Sequence, residues 1–190
     1  EELFKTVRKA DVFVYGSLAS RDDISKNTMV ELLKVAPYKV FDLNLRSPHY
    51  SSDLLLKLIH YADFIKFNDD ELFEFAEMID SPFNSLEQNL RFIAEKSPAK
   101  TICVTKGRHG AVLLHRGKLF YNSGYNIKVK DTVGAGDSFL ASLIAKLFND
   151  ESPQESLDFA CAMGALVASH EGANPLISSE EIQKFMFPTQ

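Results

Sequence analysis

Two cysteines in 190 residues are too few for the disulfide framework that staples small secreted domains. Cys103 lies in an apolar strand-like run and Cys161 in an apolar helix-like run, so both read as small buried hydrophobes of a reducing, cytoplasmic protein. No apolar run approaches the roughly 20 residues that a membrane-spanning helix requires, which predicts no membrane partner. An excess of positive charge is missing as well. The 21 Lys and Arg face 26 Asp and Glu, for a formal charge of −5, and the basic residues are scattered, which argues against a nucleic-acid partner. His49, His60, His109, His115 and His170 lack metal-ligand spacing. There is no secretory leader pattern, internal repeat or low-complexity tract.

What remains is the composition of an ordinary globular protein, 45% hydrophobic and 25% charged, long enough for one domain with a substantial core. The sequence opens without Met and enters the apolar run Val12-Phe13-Val14-Tyr15 within about ten residues, which suggests a fragment of a longer chain. Strand-like runs at 11–15, 39–43 and 63–67 alternate with helical patterns at 24–34 and 54–61, which is βαβαβ wiring. Strands joined by helical crossovers are parallel, so the expected sheet is mostly parallel, covered by helices on both faces, with ligands beyond the C-terminal strand ends. Helical patterns at 72–79 and 86–96 lead to a strand at 101–105. From there the wiring becomes hairpin-like, with strands expected at 111–115, 119–121 and 126–129. An apolar helix at 138–148 follows, then one opened by Ser152-Pro153-Gln154-Glu155 and a last one whose Ser178 to Glu181 start resembles a capping box.

The most informative stretch is Asp131-Thr132-Val133-Gly134-Ala135-Gly136-Asp137-Ser138-Phe139, directly before the helical run from Leu140. Gly134, Ala135 and Gly136 let the backbone approach a ligand, and the free N–H groups of a helix N-terminus favour an anion such as a transferring phosphoryl group. Asp137 in the first turn is placed to accept a hydroxyl proton as the oxygen attacks phosphorus. For a bare Gly-x-Gly-Asp, a helix cap and a plain turn are the simpler explanation. The loop lacks the Gly-Lys-Ser/Thr ending of a Walker A loop and the Gly-x-Gly-x-x-Gly spacing of a dinucleotide fingerprint.

The nine-residue string as a whole resembles the signature of the PfkB carbohydrate kinases, Asp-Thr-x-Gly-Ala-Gly-Asp-x-Phe, without a departure. Asn68-Asp69-Asp70-Glu71 is similar to the family's Asn-x-x-Glu motif, which implies action of Asn68 and Glu71 on magnesium and phosphate through ordered water. The same spacing is also a helix capping box, and both readings stand. Thr105-Lys106-Gly107-Arg108-His109-Gly110 resembles a family turn that approaches nucleotide phosphates, which implicates Thr105, Lys106 and Gly107; a hairpin turn is the plainer explanation. Asp42-Leu43-Asn44-Leu45-Arg46 and Gly16-Ser17-Leu18 resemble fructokinase-like members. Arg46 either reaches a phosphoryl or sugar oxygen or makes a surface salt bridge.

Gly172-Ala173-Asn174-Pro175 resembles the segment bordering the adenine pocket, which implicates Gly172 and Asn174 alongside Thr132 of the signature loop. Helix termination also explains Gly172. In cation-binding members the matching positions supply a monovalent-cation loop, which makes Asp131, Val133 and Gly172 candidate K+ ligands, whereas Leu176 stands where a hydroxyl-bearing ligand is expected.

The resemblance implies a three-layer ribokinase-like α/β fold, incomplete at the N-terminus, with residues 1–190 forming a single C-terminal nucleotide-binding and catalytic portion. The absent part would hold the first strands, the sugar-gripping Gly-Gly segment and a β-sheet lid, through which a complete protein would form a homodimer. The implied activity is ATP- and Mg2+-dependent phosphorylation of a sugar hydroxyl, fructose being favoured, with Asp137 as base and Gly134, Ala135, Gly136 and Arg46 in the catalytic group. The alternatives are a nucleotide-binding scaffold without turnover and a kinase of ribose, 2-keto-3-deoxygluconate or a nucleoside. Without its lid the chain is expected to be a weak or inactive kinase.

Overall fold

The computed structural model describes residues 1–188. Six strands form one mostly parallel sheet in the order β1 (Phe13–Gly16), β2 (Lys39–Asp42), β3 (Phe64–Asn68), β4 (Thr101–Thr105), β5 (Ala111–His115) and β6 (Lys118–Asn122). Around it are eight α-helices among the described residues: α1 (Glu2–Lys9), α2 (Asp23–Leu33), α3 (Ser52–Ile59), α4 (Asp69–Met78), α5 (Leu86–Glu95), α6 (Ala135–Phe148), α7 (Pro153–Ser169) and α8 (Ser179–Met186). The chain divides into two compact units, one comprising residues 1–104 and 114–117, the other 105–113 and 118–190.

In the first unit, β1 pairs with β2 and β2 with β3 in parallel, Val40 opposite Phe64 and Asp42 opposite Lys66. Parallel strands buried on both faces need apolar side chains at every position, and Val40, Phe41, Phe64, Ile65 and Phe67 are all almost wholly buried. The crossover helices start where side chains cap them: Asp22 accepts from the N–H groups of Ile24 and Ser25, and Ser51 from that of Leu54. Tyr15 stacks on Phe41 with 4.9 Å between centroids and donates its hydroxyl to the Leu58 carbonyl; burial pushes its phenol far above the ordinary value. Helix α1, which the sequence pattern did not reveal, packs Phe4 and Val7 against Phe13, Leu32, Val35 and Ala36.

In the second unit, α6 and α7 pack closely because Gly164 has no side chain. A Cβ there would lie 3.2 Å from the Ala135 carbonyl and 3.4 Å from the Phe139 Cβ. The caps expected for the last two helices are present: Ser152 accepts from Glu155 N–H with Pro153 at the first helical position, and Ser178 accepts from Glu181 N–H. One expected element is absent. Residues 126–129 form no strand. Their alternation is real, but Ile127 and Val129 turn into a cavity of this unit instead of lying in a ladder.

Candidate functional site

The residues singled out in the sequence fall into two groups, one in each unit. In the first unit they gather at the C-terminal ends of β1, β2 and β3, where a parallel sheet leaves its strand ends free for ligands. Ser17, buried just beyond β1, donates its hydroxyl to the Asn44 carbonyl at 3.1 Å, and its N–H bonds the Leu43 carbonyl. Asn44 holds a left-handed backbone with φ 45°, a conformation that Asn tolerates better than most residues. Asp42 pairs with Lys66 at 3.0 Å, both side chains largely shielded from water. Lys66 did not stand out in the sequence, because it lies inside the apolar run of β3.

Glu71 is the most heavily used side chain of this group. At 6% exposure, it accepts the Asn68 N–H on Oε2 at 2.8 Å and the Leu45 N–H on Oε1 at 3.1 Å. Asn68 returns the bond, its Oδ1 accepting from the Glu71 N–H, so the capping box is complete at the start of α4. The additional bond to Leu45 ties the 43–46 segment to the end of β3. Arg46, one residue on, is exposed and donates to the Leu45 carbonyl at 2.9 Å; it makes no ion pair among the described residues, so the surface salt bridge considered for it is not formed.

The second group is built on the N-terminus of α6. Gly134 is its N-cap, with φ 79° and no side-chain cap to the helix. A Cβ at Gly134 would lie 2.0 Å from the Ala173 carbonyl, so the 172–174 segment rests on the loop at a point only glycine permits. The Ala135 N–H bonds the Thr132 carbonyl at 3.3 Å, and Asp131 accepts from the Val133 N–H at 3.0 Å. The loop is thus held by its own bonds, while the first-turn N–H groups of Gly136 and Asp137 have no partner within the helix. Asp137 is exposed in that turn, at the third helical position. The dipole and these N–H groups make it a place for negative charge.

Beside this helix start is a cavity of about 240 Å³, just under the roughly 300 Å³ at which ligand pockets usually begin. It can seat one end of a ligand and leave the rest outside. Its walls are largely apolar, from Tyr125, Ile127, Val129, Phe139, Cys161 and Ala165, and its rim carries Thr132, Ala135 and Gly136. Thr105 and Gly107 also line it. Lys106, Gly172 and Asn174 do not, and Asn68, Glu71 and Arg46 belong to the other unit. Burial pushes the Cys161 thiol up to about 12, so it stays protonated and acts as apolar wall.

The sequence did not mark the α7 contribution. Cys161, Gly164, Ala165 and Ala168 all line the cavity, and their spacing of three, one and three places them on one helical face. A run of small residues at that spacing is also what plain helix packing produces. Among the described residues no cluster of His, Cys, Asp and Glu suits a metal ion, and no helix is long and apolar enough to cross a membrane.

Comparison with known proteins completes this picture. A family model described as "pfkB family carbohydrate kinase" matches residues 1–180. The fructokinase of Solanum tuberosum is 31% identical over 192 residues, covering 92% of this chain and 55% of the relative. "Probable fructokinase-6, chloroplastic" of Arabidopsis thaliana is 29% identical and covers 94% of this chain and 50% of its own length. A crystal structure of fructokinase from Vibrio cholerae O395, in a fructose-, ADP- and calcium-bound form, aligns at 25% identity with a TM-score of 0.79, over 92% of this chain and 60% of that one. The chain therefore spans about half the length of the curated relatives it matches.

Proposed function

This chain belongs to the pfkB family of carbohydrate kinases, and from that premise we propose that the complete protein transfers the γ-phosphoryl group of ATP to a sugar hydroxyl, with fructose as the favoured acceptor. The observation that carries the proposal is the start of α6. An exposed carboxylate, Asp137, stands in a helix turn whose free N–H groups suit an anion, at the rim of an apolar cavity in the same unit.

In this reading the cavity takes the adenine end of the nucleotide, with Tyr125, Ile127 and Phe139 against its faces. The phosphates lie outward, toward Gly136 and the rim contributed by Thr105, Gly107 and Thr132. Lys106, Gly172 and Asn174 act at the margin of the nucleotide site. Asp137 accepts the proton of the attacking sugar hydroxyl as the new O–P bond forms and the β–γ bridging O–P bond breaks, leaving ADP. The free N–H groups of Gly136 and Asp137 stabilise the charge of the transferring group without having to reorganise, which is the larger catalytic contribution in such sites. Arg46 offers a planar fork of donors to a sugar or phosphoryl oxygen.

Magnesium, when bound, offsets phosphate charge. Glu71 fits an outer role toward it, because each carboxylate oxygen carries one backbone N–H and retains a lone pair for a water. Asp131 and the carbonyls of Val133 and Gly172 are all-oxygen donors of the kind a K+ ion takes; the apolar side chain of Leu176 adds none. The two cysteines, both buried, fit a cytoplasmic protein.

The acceptor is tested by ADP formation with Mg-ATP and the complete protein over fructose, ribose, 2-keto-3-deoxygluconate and adenosine. Fructose is expected to give the highest kcat/KM. A higher value for any other acceptor overturns the fructose assignment, and nucleotide binding without turnover over the panel overturns the kinase reading.

A further inference from the structure

One wall of the cavity is made where two backbone segments meet without side chains between them. A Cβ at Gly110 would lie 2.1 Å from the Asn122 carbonyl and 2.4 Å from the Gly124 N, and a Cβ at Gly124 would lie 2.3 Å from the Arg108 carbonyl. The turn after β4 therefore rests directly on the segment that leaves β6, and both Gly110 and Gly124 line the cavity. Such contact fixes the wall only if the 122–125 segment is itself held.

A chain of side-chain hydrogen bonds holds it to α7. Asn122 accepts the Gly124 N–H on Oδ1 at 2.7 Å and donates from Nδ2 to Asp158 Oδ1, also at 2.7 Å. Gln154, one turn earlier on α7, donates to the same Asp158 oxygen and to the Tyr121 carbonyl, each at 2.9 Å. Tyr125 adds a longer bond from its hydroxyl to the Asp158 carbonyl at 3.4 Å, and its ring packs 5.0 Å from that of Phe185. The helix that carries Gln154 and Asp158 continues into Cys161, Ala165 and Ala168, which form the facing wall. One chain of bonds, a strut, thus joins the segments that make the two walls.

We propose that Asn122 and Asp158 are positioning residues for the nucleotide: their hydrogen bond holds the β6 exit at a fixed distance from α7 and so sets the width of the cavity that takes the base. The inference rests on the nucleotide reading of this cavity. Asn122 suits the role because its amide accepts from Gly124 and donates to Asp158 at once, which neither an acid nor an apolar residue does.

The test is ADP binding by calorimetry, with steady-state kinetics for ATP, on the complete protein and its Asn122→Asp, Asn122→Ser and Asn122→Asp/Asp158→Asn forms. Asn122→Asp sets two carboxylates against each other. It should weaken ADP binding and raise KM for ATP by about tenfold, the scale of one lost hydrogen bond between partly buried groups, with kcat nearly unchanged. Asn122→Ser, which keeps a hydroxyl near Gly124 but does not reach Asp158, should give a smaller loss in the same direction without added charge. The double variant restores a donor opposite an acceptor and should recover most of the affinity. Unchanged ADP affinity in both single variants overturns the strut while the nucleotide reading stands. A loss in the double variant as large as in Asn122→Asp also overturns it. Absence of ADP binding by the unmodified protein overturns the nucleotide reading, and the strut with it.

Discussion

Glu71 belongs to a four-residue spacing that has two meanings at once, and the structure gives the residue a structural task of its own. Its carboxylate closes the capping box with Asn68 and also receives the Leu45 N–H. The capping box was legible because Asn and Glu three apart at a strand end are a local signal. The bond to Leu45 was not, since it joins residues 26 apart. It explains why a largely buried acid is tolerated here: both oxygens are satisfied by backbone donors, the condition under which such a group stays buried at acceptable cost. In Glu71→Gln the amide nitrogen has to face one of those two N–H groups, donor against donor. The expected result is a loss of about 1–3 kcal/mol in unfolding free energy, read as a lower urea midpoint with an unchanged slope. A midpoint equal to that of the parent would show that neither bond contributes. Asp137 is the opposite case. It was found from its neighbours in sequence, because an exposed carboxylate in the first turn of a helix after a small-residue loop is specified by adjacent residues alone.

At the scale of elements, the strands from 39 to 115 were readable because burial on both faces leaves continuous apolar runs, and their ends fell within about a residue of those expected. Helices with Ser or Asp caps were readable for the same local reason. Two elements were not. Helix α1 is amphipathic but rich in Lys, Arg and Glu, and its apolar side covers only a small cluster with Phe13 and α2. The 126–129 segment has the period of a strand, yet its apolar side chains face a cavity, and periodicity does not distinguish a ladder from a wall. The α6–α7 contact carries a further consequence, for Gly164 lies within 3.2 Å of the Ala135 carbonyl by the measure of an added Cβ. Any side chain there pushes on the first turn of α6, which the proposed chemistry uses. Gly164→Val is expected to destabilise the protein by about 1–3 kcal/mol through overpacking and to weaken ADP binding, while Gly164→Ala, which asks for a shift of a few tenths of an ångström, should do less of both. Thermal unfolding and calorimetry on the two variants check the order. Equal ADP affinities in both variants and the parent would show that α7 does not set the position of that turn.

For the whole molecule, the family is established over residues 1–180, and the chain spans about half the length of the curated relatives it matches. The two units divide the candidate residues between them, Arg46, Asn68 and Glu71 in one and Thr105, Thr132 and Asp137 in the other. β1 ends the strand order, with Val14 half exposed on it, and such an edge is a place for further pairing. The choice of acceptor was the least legible feature: only Gly16-Ser17-Leu18 and the 42–46 segment pointed to fructose, and in the structure Ser17 bonds the carbonyls of Leu43 and Asn44 while Asp42 and Leu45 are tied to Lys66 and Glu71. The proposed chemistry, by contrast, rests on one side chain. The most direct test is turnover of fructose and Mg-ATP by the complete protein and its Asp137→Asn form, with ADP affinity measured alongside. The base role predicts a fall in kcat of about a thousandfold with ADP binding within about twofold of the parent; turnover within tenfold of the parent, with the fold intact, would contradict it.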